Sequence, residues 1–281
     1  MNNQPERNDH YSALLREMLQ QPDEQISLAA AALLIAACEY PDLEPATYLQ
    51  QLEMMARNAG QRITSGMDPL ETIIVINRYL FEEEGFSGNA DDYYDPRNSF
   101  LNEVLDRKTG IPITLSTVYL EVAERLNLPL VGVGMPGHFL VKIPYFDILV
   151  DPFARGRILT EDDCREQMKQ LLGESVPFDK SYLDAVSKRH IIVRMLNNLR
   201  SIYVNNRQFQ KALSISEMAV AVHPTAAYQW KQRGALLIHL RRHGDAIRDL
   251  NRYLELEPDA EDADDIRTIT SDLRKSLAQL N

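Results

Sequence analysis

Gly137-His138-Phe139-Leu140-Val141-Lys142-Ile143 and Phe146-Asp147-Ile148-Leu149-Val150-Asp151, joined by Pro144-Tyr145, read as two short strands folded back on each other. Both arms are rich in Phe, Val, Ile and Leu, the composition of a pleated, half-buried surface. Folded about Pro144-Tyr145, the chain places Ile143 opposite Phe146, Val141 opposite Ile148 and Phe139 opposite Val150 on a wholly apolar face. Lys142 then meets Asp147, Leu140 meets Leu149 and His138 meets Asp151 on the other face. Directly opposed residues have Cβ atoms about 4.5–5.5 Å apart, so this register predicts a His138–Asp151 hydrogen bond. A carboxylate so placed fixes the tautomer of an imidazole and stabilises its cation, which is two-thirds of a catalytic triad. Proline disfavours the primed turns of two-residue hairpins, and a four-residue loop centred on the same point keeps the same pairs.

Composition sets the frame for that hairpin. With 281 residues, 44% of them hydrophobic, the chain can bury a sizeable core in one large or two ordinary domains. A net charge of -11 works against binding to phosphate backbones or anionic membranes, so nucleic acid and membrane are excluded as partners. The longest apolar run, Leu28 to Cys38, falls short of the ~20 residues that span a bilayer. The polar N-terminus lacks a signal-peptide layout, and the expected location is the cytoplasm. Two cysteines, Cys38 and Cys164, make no disulfide framework, and with six scattered histidines they show no metal-ligand spacing. No metal or other cofactor is expected. Gly132, Gly134 and Gly137 lie on a strand and its turn rather than opening a helix, which argues against a phosphate-binding loop.

From about residue 10 to residue 84 the pattern is helical: an Ala-rich run through Cys38, then Pro45 to Arg62, then Pro69 to Glu84. Proline at the start of the last two suits the first helical position. The acidic stretch from Glu82 to Asp95 has no helical period and reads as a solvated loop. Asn98 to Arg107 predicts a short capped helix, Gly110-Ile111-Pro112 a break, and Ile113 to Leu126 a second helix, with strands from Leu130 onward. Helices feeding a small antiparallel sheet make an α+β domain over residues 1–187.

Residues 188–281 repeat themselves. Setting Pro224 on Pro258 also pairs Leu196 with Trp230, Tyr203 with Leu237, Ala212 with Ala246, Leu213 with Ile247 and Val222 with Leu256. That spacing is the tetratricopeptide period, with Trp230, Gly234, Ala246 and Pro258 at signature positions. The first repeat carries Arg200 where glycine is usual, and an acidic start at Asp259 to Asp265 leads into a cap helix over about 261–280. This all-α module of about two repeats is expected to bind protein or peptide in its groove through Asn197, Asn198, Asn205, Lys231 and Arg241, with Trp230 serving as packing.

Asn98-Ser-Phe-Leu-Asn, Arg107-Lys-Thr-Gly-Ile-Pro-Ile-Thr-Leu-Ser, Pro136-Gly-His-Phe-Leu and Asp151-Pro-Phe together resemble the transglutaminase-like superfamily, with its papain-like core. More narrowly, the chain is similar to bacterial SirB-type proteins, which join such a core to C-terminal tetratricopeptide repeats. The resemblance implies a regulatory connection and a Cys-His-Asp triad whose cysteine opens a helix, where the helix N-terminus lowers the thiol pKa. His138 and Asp151 match, but Pro112 stands where the cysteine would align and has no nucleophilic atom. The expectation is therefore a pseudoenzyme that keeps a remnant pair in a ligand- or peptide-binding cleft lined also by Asn98, Pro112, Ser116 and Phe153. The alternative is a cysteine- or serine-dependent peptidase or acyl-transferase completed from elsewhere: Ser99, Thr114 or Ser116 as hydroxyl, Cys38 or Cys164 as thiol. Cys38 reads as a core residue, and the carboxylates around Cys164 raise a thiol pKa.

Overall fold

The computed structural model describes residues 4–144, 146 and 148–280. Its helices are α1 (Gln4–Met18), α2 (Leu28–Ala37), α3 (Pro45–Gly60), α4 (Pro69–Asn77), α5 (Leu101–Arg107), α6 (Pro112–Arg125), α7 (Glu161–Leu172), α8 (Lys188–Asn205), α9 (Phe209–Val222), α10 (Ala227–His239), α11 (His243–Leu256) and α12 (Ala263–Leu280). The strands are β1 (Ser87–Gly88), β2 (Thr109–Gly110), β3 (Val131–Val133), β4 (Leu140–Lys142), β5 (Leu149–Asp151), β6 (Arg157–Leu159) and β7 (Ala185–Val186). Among the described residues no helix is long and apolar enough to cross a membrane.

The chain forms two compact units, one over Gln21–Met195 and the other combining residues up to Gln20 with Leu196 onward. The division falls inside α8 rather than at 187, and the N-terminal helix belongs with the repeats: α1 packs on α9. Nothing in the 34-residue spacing of the repeats reports on α1, so the sequence reading assigned it to the core by position alone.

In the Gln21–Met195 unit, five antiparallel strands run in the order β6-β5-β4-β3-β7. One layer is helical, with α6 packed against α2, α3, α5 and β4. Helix α6 is buried from Pro112 to Ala123, and its polar residues there are the small Thr114, Ser116 and Thr117 and the hydrogen-bonded Glu121. Beyond the sheet, Val133, Met135, Leu140, Leu149 and Leu159 form a second core with Cys164 and Met168 of α7 and with Leu183. Local signals explain the helix starts. Asp68 and Glu71 exchange side-chain and backbone hydrogen bonds across the first turn of α4, and Thr160 with Asp163 does the same for α7.

Three local expectations need correction. The hairpin pairs Val141 with Val150 and Lys142 with Leu149, two residues away from the predicted register. The Phe146 N–H bonds the Ile143 carbonyl, and Ile143 N–H bonds Ile148, so Pro144 takes the second position of a turn inside a longer connection. A slip of two keeps every side chain on its face, so the apolar and polar faces survive, but Phe146 leaves the apolar face and is 49% exposed. The pairing assigned to Asp147 lies outside the described residues. Second, Asn98 does not cap α5: Pro96–Ser99 is a 3₁₀ turn and Phe100 is extended, its side chain giving the helix no cap. Third, the acidic stretch from Glu82 to Asp95 is only partly a solvated loop. A π-helical turn, Arg78–Glu83, extends α4, and Ser87 and Gly88 pair in parallel with Thr109 and Gly110.

In the repeat unit α10 packs on α9 and α11, and α11 on α12. Gly234 lets α10 and α11 approach: a Cβ there would sit 2.9 Å from Leu250 Cδ2. Trp230 is half-buried against the cluster around Leu250, Tyr253 and Ile266, and its indole N–H donates to the Pro224 carbonyl at 2.8 Å. Arg200, at the glycine position of the first repeat, is 3% exposed and donates to Gln229 Oε1 at 2.7 Å, while Gln229 donates to Asn197 Oδ1 at 3.1 Å.

Candidate functional site

His138 and Asp151 meet through a hydrogen bond of 2.9 Å between His138 Nε2 and Asp151 Oδ2, with the residues 6% and 2% exposed. The observed register makes them diagonal rather than direct neighbours, a span within reach of an imidazole. An ionised carboxylate only accepts, so Nε2 carries the proton, and Nδ1 faces away with no partner among the described residues.

Asp151 is fully engaged. Its Oδ1 accepts from the backbone N–H groups of Phe153 (3.0 Å) and Ala154 (3.2 Å), and its Oδ2 accepts from Gln167 Nε2 (3.3 Å) as well as from His138. These donors hold the carboxylate rigidly and disperse its charge.

The Phe153 ring stands edge-on to the His138 ring, with centroids 6.0 Å apart, and edge-on to the Tyr93 ring at 6.1 Å. Gly88 admits it: a Cβ there would lie 2.5 Å from the Phe153 ring and 2.7 Å from its carbonyl oxygen. Tyr93 is held in turn by Asn98, whose amide donates to the carbonyls of Asp92 (2.7 Å) and Tyr93 (3.4 Å).

Of the four residues predicted to line a cleft beside the pair, only Phe153 touches the imidazole and keeps some exposure. Asn98 and Ser116 are 0% exposed and Pro112 is buried. Asn98 acts through the loop it fastens, Pro112 occupies the first turn of α6, and the Ser116 hydroxyl is sealed in the interior without a partner.

No hydroxyl or thiol hydrogen-bonds the His138 ring among the described residues. Thr114 accepts from the Ile111 N–H (3.1 Å) and donates to the Asn98 carbonyl (2.7 Å), so it ties the start of α6 to the 3₁₀ turn. Ser99 is buried with an unpartnered hydroxyl. Cys38 is 7% exposed at the end of α2. Cys164 is 0% exposed; burial first, then the Asp163, Asp151 and Glu161 carboxylates, pushes its thiol up to about 11. A cavity of about 420 Å³ elsewhere in the unit, lined by Leu28, Leu120, Leu128, Pro129, Val131 and Ile191 among others, touches neither His138 nor Asp151.

In the repeat unit, Asn197 and Lys231 already have partners: Asn197 accepts from Gln229, and Lys231 pairs with Asp262 at 2.8 Å. Asn198 is half-buried, while Asn205 and Arg241 are exposed. Sequence reasoning missed Tyr93, Gln167 and Arg194. Gln167 sits on α7, a helix the sequence reading did not assign, Arg194 on a helix read only for the repeat spacing, and Tyr93 lies in the stretch read as solvated.

Residues 46–197 match the model of the transglutaminase-like superfamily, and residues 199–270 match a tetratricopeptide repeat model. The chain is 39% identical over 265 residues to a UPF0162 protein of Xylella fastidiosa, covering 92% of this chain and 93% of the other. It is 34% identical over 251 residues to a UPF0162 protein of Pseudomonas aeruginosa, covering 89% and 91%. To Protein SirB1 of Salmonella typhimurium it is 26% identical over 214 residues, covering 75% and 78%. With a helical layer on a small antiparallel sheet, a His-Asp pair across its hairpin and repeats at its C-terminal end, the chain belongs to the transglutaminase-like superfamily as a SirB-type member.

Proposed function

We propose that this protein is a non-catalytic, cytoplasmic regulator or adaptor that binds protein or peptide through the surface around His138 and through its repeats. The observation that carries this reading is the imidazole itself: Nε2 is held by Asp151, and among the described residues neither a thiol nor a hydroxyl hydrogen-bonds the ring. A triad needs a nucleophile within about 2.6–3.2 Å of its base, often looser without ligand. Pro112 offers no such atom, and the two thiols are buried. A rigid imidazole, an aromatic neighbour and a satisfied carboxylate still supply directional contacts for a ligand. In the repeat unit, the exposed Asn205 and Arg241 are the groove residues left to meet a partner. Tetratricopeptide repeats generally serve protein interaction, which supports this part of the reading.

Ester and amide hydrolysis and amine transfer to glutamine substrates, measured with native protein and His138→Ala, test the reading. The expected result is no turnover that depends on His138. A rate abolished by His138→Ala with the fold intact overturns it in favour of a peptidase or acyl-transferase. Iodoacetamide gives a parallel check. At pH 8 a thiol titrating near 11 is almost wholly protonated, so Cys164 stays unmodified in the folded protein and reacts on unfolding. Modification of either cysteine in the native state, with loss of activity, would identify the missing nucleophile.

A further inference from the structure

Arg194 of α8 is a cation held by main-chain carbonyls. Its Nη2 donates to the main-chain carbonyls of His138 (2.6 Å) and Met135 (3.0 Å), and its guanidinium carbon lies 5.3 Å from the centre of the Phe139 ring. No carboxylate pairs with it among the described residues, whereas the half-buried Arg125, Lys188, Arg233 and Lys231 each meet one. Nε and Nη1 carry no hydrogen bond, and neither is sealed in the interior. Burial pulls this guanidinium below its usual range, with only the Tyr93 phenol opposing. Burial and Tyr94 hold that phenol up, while Arg194 draws it back.

Two further polar groups border the same surface unfilled. Among the described residues the Tyr93 hydroxyl makes no hydrogen bond, and its ring reaches His138 through Phe153. His138 Nδ1 is likewise unpaired. Asp151, which holds His138, already has four donors, and none of them is Arg194. The rim is apolar and open: Leu171 (51% exposed) and Leu172 (38%) lie over Gly137, and Tyr94 (62%) stands edge-on to Tyr93.

We propose that this surface binds the C-terminal carboxylate of a peptide ending in an apolar residue, with Arg194 as counter-charge, Tyr93 as second donor and the Leu171–Leu172 rim against the apolar side chain. The proposal rests on the peptide-binding reading above and deepens it. A guanidinium is suited to two-pronged carboxylate recognition, and capture of a chain terminus needs only such a charge beside an apolar contact.

The experiment is a titration of full-length, histidine-labelled protein followed by the His138 ring resonances, using acetyl-Ala-Leu-Leu with a free carboxylate, the same peptide as carboxamide, and acetyl-Ala-Glu-Leu-carboxamide. The free acid is expected to shift His138 saturably and to bind about tenfold tighter than either carboxamide, with that preference lost in Arg194→Gln and weakened in Tyr93→Phe. Because Arg194 also holds two carbonyls, the wild-type acid-against-amide comparison decides the carboxylate assignment if Arg194→Gln does not fold. Equal binding of acid and carboxamide at His138 overturns the carboxylate assignment and leaves peptide binding standing. Equal binding of the glutamate peptide and the free acid overturns the chain-terminus assignment. A His138 signal that no peptide moves overturns both.

Discussion

The two units hold their arginines in opposite ways. In the repeat unit the arginine contacts are closed: Arg200 donates to Gln229, Gln229 to Asn197, and Arg233 grips both oxygens of Asp249, although Ser216 Oγ and His223 Nδ1 stay buried without partners. In the sheet unit Asp151 is closed, but the surface beside it is not: among the described residues His138 Nδ1, the Tyr93 hydroxyl and two nitrogens of Arg194 end without partners. A closed network has spent its hydrogen-bonding capacity on the fold, while an open one keeps capacity for something else. Arg200 and Arg194 make the contrast sharpest. Among the described residues neither meets a carboxylate, and both are held below their usual range by burial, yet Arg200 is sealed by Gln229 and Tyr228 whereas Arg194 spends one nitrogen on two carbonyls.

The largest effect is expected where a closed hub supports an open site. Asp151→Ala strands the His138 imidazole, the Phe153 and Ala154 N–H groups and the Gln167 amide, and removing one member of a buried charged network costs about 3–4 kcal/mol. Urea unfolding monitored by circular dichroism measures it. A loss below about 1 kcal/mol would mean that the carboxylate is a passenger in the hairpin.

Arg200→Gly restores the residue usual at that repeat position and comes next. It strands Gln229 Oε1 in a helix interface where Gln229 is 2% exposed, and an unsatisfied buried acceptor costs about 1–3 kcal/mol. The expected result is destabilisation of about 2 kcal/mol, despite the closer match to the repeat pattern. Stabilisation instead would show that the network is a burden the repeat tolerates, and would remove one side of the contrast.

How much of this was legible in the sequence follows from which interactions are periodic. Helix starts at Pro45 and Pro69 and the helices of the repeats announce themselves through local residues and the 34-residue spacing, and Pro112, read as a break, is itself the first residue of α6. The His138–Asp151 contact was readable because strand alternation fixes faces, even though the register was two residues off: parity survives an even slip. What was not readable was tertiary. Nothing near Arg194 in the chain points to the carbonyl of His138, 56 residues away, and Tyr93 lies in a charged segment whose anchoring by Asn98 depends on the fold. The same limit applies to Ser116: its position on α6 suggested a site residue, and only the fold puts its hydroxyl inside the core.

His138→Ala is expected to cost less than either change above, about 1 kcal/mol. It leaves Asp151 with three of its four donors, and it removes a ring whose second nitrogen bonds nothing. Thermal unfolding compares it directly with Asp151→Ala. The ratio matters more than either value: a site residue loses function without stability, and a structural one loses stability first. If His138→Ala destabilised as much as Asp151→Ala, the imidazole would belong to the closed kind of network and the open reading of this surface would fail.

The smallest effect is expected at Lys231, which tests the repeat side of the comparison from its edge. Its ammonium pairs with Asp262 and lies 5.2 Å from the centre of the Tyr253 ring, but its side chain is 30% exposed and that of Asp262 35%. Pairs this exposed are screened, so Lys231→Met should lower stability by about 0.5 kcal/mol, less at 0.5 M salt than at low salt. The Asp262 bond above all, with nearby Tyr253, raises the Lys231 ammonium above its ordinary range, so the pair persists through neutral pH and is lost only as pH climbs past the lysine's usual range. A change that weakened partner recovery while leaving stability within this margin would place Lys231 in the binding groove after all. Loss of stability without loss of partner would instead make it the outermost link of the closed network, and Asn205 and Arg241 would remain as the groove's free polar residues.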